Sequence, residues 1–162
     1  DWPTRAFTCT AVDTADGKLV TWDNESHVPL ARAVASSCSV PGIFPPITIN
    51  GRRCMYGGRR SATNIDLACG YDAVLAVVVQ GATPTGTPDA ILEIRRQRLE
   101  AELQAVRAAG GKVELIASDE ASAEAFGINL MDPSRRGPAA EAGYIQGRKE
   151  AKRLALFWGG TS

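Results

Sequence analysis

The feature that most constrains the fold of this chain is the apolar run AVLAVVV at positions 73–79. The run is too short to cross a membrane, which takes roughly 20 apolar residues, and it is rich in valine, which favours strands. A strand that is apolar at every position is typical of the centre of a parallel sheet, where both faces are covered. The run therefore predicts a central parallel strand within an α/β fold.

A helix and a second strand follow this run. Thr87 and Pro88 suit the first positions of a helix, and Gly110 with Gly111 suits its end. Residues 112–118, KVELIAS, have the composition of a strand. The apolar residues on one face of the predicted helix are Leu92, Leu99, Leu103 and Val106. These segments predict a strand–helix–strand unit with a right-handed crossover.

The first part of the chain predicts a hairpin and a short helix. Residues 6–12 and 18–22 have strand composition and are joined through a turn at Gly17. Pro29 suits the first turn of a helix, which must end before Pro41. The apolar residues spaced by four along this helix predict a buried stripe: Leu30, Val34 and Cys38.

A second hairpin is predicted immediately afterwards. Residues 47–49 and 52–55 can pair as short strands, with Asn50 and Gly51 between them. A two-residue type I′ turn needs positive φ at both positions, and Asn-Gly is well suited to it. The hairpin delivers the chain to Tyr56, which is followed by two glycines.

A last helix is predicted to begin near Pro138. Its apolar and small residues alternate at spacings of four and three, which predicts one stripe that docks on the rest of the fold. The stripe consists of Ala140, Tyr144, Gly147, Ala151, Leu154 and Trp158. The charged residues between them predict a solvated face: Arg148, Lys149, Glu150, Lys152 and Arg153.

Charge and length exclude several classes of protein. The 162 residues carry 18 basic and 18 acidic side chains, so the chain lacks the basic surface of a nucleic-acid binder. We expect one globular domain over residues 1–162. One histidine and four cysteines without C-x-x-C spacing argue against a metal site, and we expect no other cofactor.

The four cysteines also indicate in which cellular compartment the protein is expected. We expect reduced, mostly buried thiols in a cytoplasmic protein, with two disulfides as the open alternative. The residues concerned are Cys9, Cys38, Cys54 and Cys69.

Common catalytic motifs are missing from the sequence. It contains no G-x-S-x-G, no phosphate-binding P-loop and no G-x-G-x-x-G. His27 is predicted to be an exposed loop residue, and no spacing supports its pairing with Cys54 as a thiolate site. Ser36, Ser37 and Ser61 lie near turns or helix ends, where capping roles are expected.

The stretch NGRRCMYGGRRSATN, residues 50–64, predicts a loop that presents one side chain. Gly57 and Gly58 allow the backbone to come close to a neighbouring group. Tyr56 stands at the entry to this glycine pair.

The longer stretch VPLARAVASSCSVPGIFPPITINGRRCMYGGRRSATNIDLA resembles the C-terminal half of the catalytic domain of bacterial patatin-like phospholipases. That family has a helix of small residues, a PG-FPP connector, and a hairpin that ends in Asp-Gly-Gly or Asp-Gly-Ala and is followed by an asparagine. Residues 131–158 resemble the closing helix of a bacterial branch of the family. The resemblance covers about residues 1–158.

The resemblance implies a patatin-like three-layer α/β sandwich that hydrolyses lipid acyl esters with a Ser-Asp dyad. In the family, the serine on its G-x-S-x-G elbow and the oxyanion loop stand in the N-terminal half, and the loop aspartate activates the serine directly. This chain begins downstream of both, so we expect a partial domain that is a piece of a longer protein or a processed chain. The family's aspartate corresponds to Tyr56, with Gly57, Gly58 and Asn64 as the supporting loop.

A tyrosine is a poor replacement for this aspartate. A phenol has a pKa of about 10, against about 4 for a carboxylic acid, and its ring would fill the place of the serine oxygen. Four basic residues nearby can favour a phenolate but are expected to be solvated: Arg52, Arg53, Arg59 and Arg60. Asp66 is the nearest carboxylate, and its position predicts a role in a first helical turn.

We therefore expect a chain without a nucleophile that is inactive as it stands. Two alternatives stay open. The first is an active hydrolase, in which either another segment supplies the missing half or a tyrosine takes the place of the dyad aspartate. The second is a non-catalytic module that binds lipid or another protein. The expected partner is a lipid or acyl ester if the missing half is supplied. An exposed sheet edge and apolar face also predict self-association or peripheral membrane contact.

Overall fold

The computed structural model describes residues 1–79, 83 and 86–159. Over these residues the chain is an α/β protein that divides into two compact units, Asp1–Asn64 and Ile65–Ser162. The α/β class is confirmed. The single domain over residues 1–162 and the three-layer sandwich stay predictions.

The first unit is a four-stranded antiparallel sheet with one helix. Its sheet has the strand order β2-β1-β4-β3. Its elements are β1 (Cys9–Asp13), β2 (Leu19–Trp22), α1 (Leu30–Ser37), β3 (Ile47–Ile49) and β4 (Arg52–Tyr56). Both predicted hairpins are confirmed, and the second forms because Asn50 and Gly51 adopt φ values of 49° and 78°, as a type I′ turn requires.

Helix α1 packs through small residues, which corrects the predicted stripe. Ala33 and Ser36 are buried, whereas Val34 and Cys38 are exposed and Leu30 is half-buried. Ser36 donates its hydroxyl proton to the Ala33 carbonyl at 2.8 Å and accepts from the indole nitrogen of Trp22 at 3.1 Å. Short side chains let the helix lie close to the sheet. Of its larger apolar residues, Leu30 packs against this core while Val34 remains outside.

The second unit contains the predicted strand–helix–strand arrangement. Its elements are β5 (Ala73–Val78), α2 (Asp89–Ala108), β6 (Lys112–Ala117), α3 (Glu120–Phe126) and α4 (Arg136–Phe157). Strands β5 and β6 are parallel, with a register that runs from Ala73 opposite Lys112 to Val78 opposite Ala117. In α2, Leu103 and Val106 are buried with Leu99 packed against them, whereas Leu92 is exposed.

Strand β5 is not covered on both faces, contrary to the prediction. Val74 and Ala76 pack with α2 residues in the core of this unit, but Val77, on the other face, is 64% exposed. Among the described residues, β5 pairs with β6 alone.

Helix α4 contacts the rest of its unit through a different face from the predicted one. Tyr144 is 67% exposed, and of the predicted stripe only Leu154 is even half-buried. The residues that are buried or half-buried are Ala139, Ala142, Gln146, Glu150, Leu154 and Phe157. Arg153, predicted to be solvated, pairs with Glu114 of β6 and with Glu150. The prediction followed apolar residues, whereas polar side chains make much of this contact.

The cysteines are free thiols, of which Cys9 and Cys54 are buried while Cys38 and Cys69 are exposed. The expectation of mostly buried thiols is therefore wrong for two of the four. Within the described ranges, no cluster of His, Cys, Asp or Glu is arranged to hold a metal ion. None of the helices in the same ranges is both long and apolar enough to span a membrane.

Candidate functional site

Tyr56 is the last residue of β4 and is held from two sides. It lies opposite Ala11 in the register with β1, and its N–H donates to the carbonyl oxygen of Ser39 at 3.0 Å. The backbone at this position is therefore fixed by the central strand of the sheet and by the segment that follows α1. The residue as a whole is 37% exposed.

Gly57 begins a 3₁₀ turn, Gly57–Arg59, and is buried against β1. A Cβ atom on Gly57 would lie 2.5 Å from the carbonyl oxygen of Thr10 and 2.7 Å from its carbonyl carbon. Real Cβ atoms do not approach backbone so closely, so only glycine fits. The close approach that the glycine pair permits is to strand β1.

Gly58 serves a different purpose. The ring of Tyr56 folds back across it, and a Cβ on Gly58 would lie 2.6 Å from the Tyr56 hydroxyl oxygen and closer still to the ring. The absence of a side chain at Gly58 therefore provides the space that the phenol ring fills.

Asn64 braces the far end of the loop. Its backbone adopts φ 51°, a left-handed conformation that asparagine tolerates well. Its amide nitrogen donates to the Ser61 carbonyl at 2.8 Å and lies 3.5 Å from the Gly57 carbonyl, while its amide oxygen accepts from Arg60 at 3.0 Å. One side chain thus ties both ends of the loop together.

Two of the four neighbouring arginines are bound to other groups. Arg52 donates from Nε to a carboxylate oxygen of Asp13 at 2.8 Å, and Arg60 binds Asn64. Arg53 and Arg59 are exposed. The positive charges of the four arginines are therefore distributed around the loop and do not converge on the Tyr56 hydroxyl group.

The carboxylate of Asp13 is buried at the end of β1. Because its pKa changes on folding, the free energy of unfolding of the first unit depends on pH. The backbone N–H of Ala15, and after it the side chain of Arg52, lowers the pKa of Asp13. An aspartate has a pKa of about 3.9 in the unfolded chain. When folding lowers this pKa, the carboxylate stabilises the folded state at pH values above about 3.9, and this stabilisation is lost as the pH falls through the lower pKa of the folded state.

We expect Asp13→Asn to remove this part of the acid sensitivity. The measurement is Trp22 fluorescence during acid titration, because Trp22 is buried in the same unit. Other carboxylates with lowered pKa, such as Asp16 and Asp23, are present in both proteins and cancel in the comparison. Identical acid profiles for the two proteins would contradict this role for Asp13.

A shallow apolar depression adjoins the Tyr56 loop through Ser39. It has a volume of about 270 Å³ and is lined by Ala35, Cys38, Ser39, Phe44, Pro45 and Ile47. Small-molecule sites commonly span roughly 300–1,000 Å³, so this open depression suits part of one apolar chain. Sequence reasoning missed it, although Phe44, an aromatic residue within a proline-bounded connector, was a signal.

The remaining candidates from the sequence have structural roles. His27 is exposed at φ 52°. Burial raises the pKa of the Cys54 thiol, which opposes thiolate formation. Ser61 accepts from the backbone N–H groups of Thr63 and Asn64, both at 3.2 Å. Asp66 lies in the first turn of the 3₁₀ helix Ile65–Ala68, as expected.

The arrangement places the Tyr56 phenol at the entry to a glycine turn, beside an apolar depression. Residues 1–69 match the family model described as patatin-like phospholipase, a match that takes in the whole loop. The resemblance is confirmed for this segment, and over residues 70–158 it stays a prediction. No curated protein matches the chain.

Proposed function

We propose, on the premise that residues 1–69 are a patatin-like phospholipase segment, that this chain is the C-terminal part of a lipid acyl hydrolase of the phospholipase or esterase class. We propose further that it does not hydrolyse esters as it stands. Reduced thiols favour a location in the cytoplasm, and this location stays a prediction.

The observation that carries the proposed inactivity is the packing of the Tyr56 ring over Gly58. In the family, this position holds the aspartate that takes the proton from the serine. A phenol ring that lies back over its own loop directs no carboxylate oxygen toward a nucleophile, and removal of a positioned general base typically costs about 10²–10⁴ in rate. The sequence also contains no G-x-S-x-G serine.

The test is to restore the carboxylate. In a polypeptide that carries a G-x-S-x-G serine ahead of this sequence, Tyr56→Asp is expected to raise hydrolysis of a short-chain nitrophenyl ester by about 10²–10⁴. The chain alone should show no turnover with either residue, because no nucleophile is present. Spectrophotometric release of nitrophenol measures both rates.

Tyr56→Asn is the matched control, since it also removes the ring and has the size of aspartate but cannot accept a proton. It should remain inactive in the same polypeptide. Ester hydrolysis by the unchanged Tyr56 protein, lost on substitution of the elbow serine, would overturn the proposed inactivity and favour a tyrosine-based dyad.

The apolar depression favours a second candidate function, a lipid-binding module without catalysis. Phe44 and Ile43 are about half exposed beside it, which supports insertion of one acyl chain or peripheral contact with a lipid surface. Flotation of the same proteins with phosphatidylcholine vesicles distinguishes the two functions. Binding that is lost in Phe44→Ser, without hydrolysis in either protein, supports the lipid-binding module; no flotation removes it.

A further inference from the structure

The two-stranded sheet of the second unit has two edges that differ in how they are covered. In a parallel ladder, the N–H and C=O groups of alternate residues point to opposite sides of a strand. Lys112 N–H donates to the Asp72 carbonyl at 2.8 Å, and Ser118 N–H donates to the Val78 carbonyl at 3.3 Å. The even-numbered residues of both strands therefore face each other, and the odd-numbered residues face the two outer edges.

The outer edge of β6 is covered by side chains of α4. The amide of Gln146 donates to the Ala117 carbonyl at 2.7 Å and accepts from the Asp119 N–H at 3.2 Å. Arg153 donates to the Leu115 carbonyl at 3.3 Å. The Gln146 amide makes the two bonds that a peptide group of a neighbouring strand would make, so this edge is closed to further strands.

An edge of the first sheet is protected in a comparable way. Arg32 donates to the Thr48 carbonyl of β3 at 2.8 Å, and the strand is preceded by Pro45 and Pro46. Charged side chains, prolines and covering elements are the common means by which sheet edges avoid pairing.

The outer edge of β5 has none of these features. In the part of the chain that the structure describes, no hydrogen bond is made by the outward backbone groups of Ala73, Leu75 or Val77. The strand Ala73–Val78 contains no charge and no proline, and Val77 is 64% exposed. Such an edge is a template for another strand.

We propose that β5 pairs antiparallel with β5 of a second copy of this chain, with a two-fold axis through Leu75. Outward-facing residues then form the hydrogen-bonded pairs, Ala73 with Val77 of the second copy and Leu75 with its own equivalent. This proposal does not depend on the proposed hydrolase ancestry.

A second copy fits this edge better than an unrelated strand for three reasons. The pairing places apolar side chains opposite each other, and Asp72 lies opposite Val78 of the second copy, so no like charges meet. It enlarges a two-stranded sheet, which already packs against α2, to four strands, and the added strand pairing increases its stability. Because Gln146 and Arg153 cover β6, the assembly closes at a dimer.

The test combines sedimentation equilibrium with amide hydrogen exchange on the 162-residue chain. We expect a reversible dimer. The amides of Ala73, Leu75 and Val77 should become protected as concentration rises, while those of Val74, Ala76 and Val78 should not change. Val77→Lys, at an exposed side chain, should raise the dimer dissociation constant by about tenfold or more, because it replaces the apolar Ala73–Val77 pair by a charge opposite alanine at both ends of the interface.

Leu156→Lys is the matched control, since Leu156 is a similarly exposed apolar residue on α4 and the change adds the same charge. It should leave the dimer intact. A monomer at all concentrations, or a dimer that Val77→Lys does not weaken and in which the odd-numbered amides gain no protection, would overturn the proposal. So would open-ended growth, because that needs a free β6 edge.

Discussion

Replacing Gly57 by alanine is expected to destabilise the first unit by about 3 kcal/mol or more, at the upper end of what overpacking costs. The new Cβ would lie 2.5 Å from the Thr10 carbonyl oxygen. Thr10 belongs to β1, which is paired on both sides, with β2 and β4. The obstacle is therefore backbone that cannot move without disturbing two strand pairings. Urea denaturation followed by Trp22 fluorescence measures the change in free energy of unfolding.

Gly58→Ala is the matched control, one residue along the same turn. The three atoms nearest to its new Cβ all belong to the side chain of Tyr56, which is partly exposed and can rotate toward solvent. We expect a loss of less than about 1 kcal/mol, consistent with a substitution away from rigid packing. Equal losses for the two alanine variants would show that the approach of Gly57 to Thr10 does not limit stability.

The second large effect is expected at Leu103, in the small core of the second unit. Leu103 is 6% exposed and packs with Ile65, Ala76 and Val106. Truncation of a buried leucine to alanine typically costs about 2–5 kcal/mol. The core cluster around it is small, so little else can compensate. Far-UV circular dichroism during urea denaturation follows this helix-rich unit.

Leu92→Ala offers the same chemical change on the same helix. Leu92 is 37% exposed, so its truncation should cost less than about 1 kcal/mol. The sequence pattern places both leucines on one face, and only the structure separates them. A cost at Leu92 that equals the cost at Leu103 would mean that this end of α2 is covered in solution.

Local patterns predicted the elements whose cause is local. Asn50 and Gly51 form the expected turn because their φ preferences decide its type. The glycines after α2 and the strand at 112–117 were located for similar reasons. Helix α3 was missed although its start has a local signal, the Asp119 side chain, which accepts from the Ser122 N–H at 2.9 Å. The helix has only seven residues, too few for an apolar period to be recognised.

The sequence was less informative about which face of an element is covered. In α4, apolar periodicity selected Tyr144, whereas Gln146 and Arg153 make the contacts with β6. Such contacts form with backbone carbonyl groups at the edge of a strand that is distant in sequence. The periodicity of apolar residues along a helix gives no information about them. In α1, Val34 was favoured over Ala33 because hydrophobicity predicts burial better than small size does.

The sequence predicted the position of the candidate site in the chain but not its three-dimensional geometry. The loop position of Tyr56 followed from the hairpin and the glycines, and the resemblance led to the prediction that it replaces an aspartate. The direction of its ring, the brace made by Asn64 and the depression beside Ser39 all required three-dimensional packing. Thr10 and Ser39, which hold Gly57 and the Tyr56 backbone, are far from the loop in sequence. The contacts of Asn64 and of the Tyr56 ring are local, but they depend on side-chain directions that residue spacing does not give.

The contact between the Tyr56 ring and Gly58 also gives a criterion that can be applied to related sequences. A methyl group at position 58 would overlap the ring as it lies here. A chain with tyrosine at position 56 and alanine at position 58 must therefore hold its ring in another direction, whereas a tyrosine followed by two glycines can hold it as here. In any related sequence with this tyrosine, the residue at position 58 indicates whether the ring can lie back over the loop.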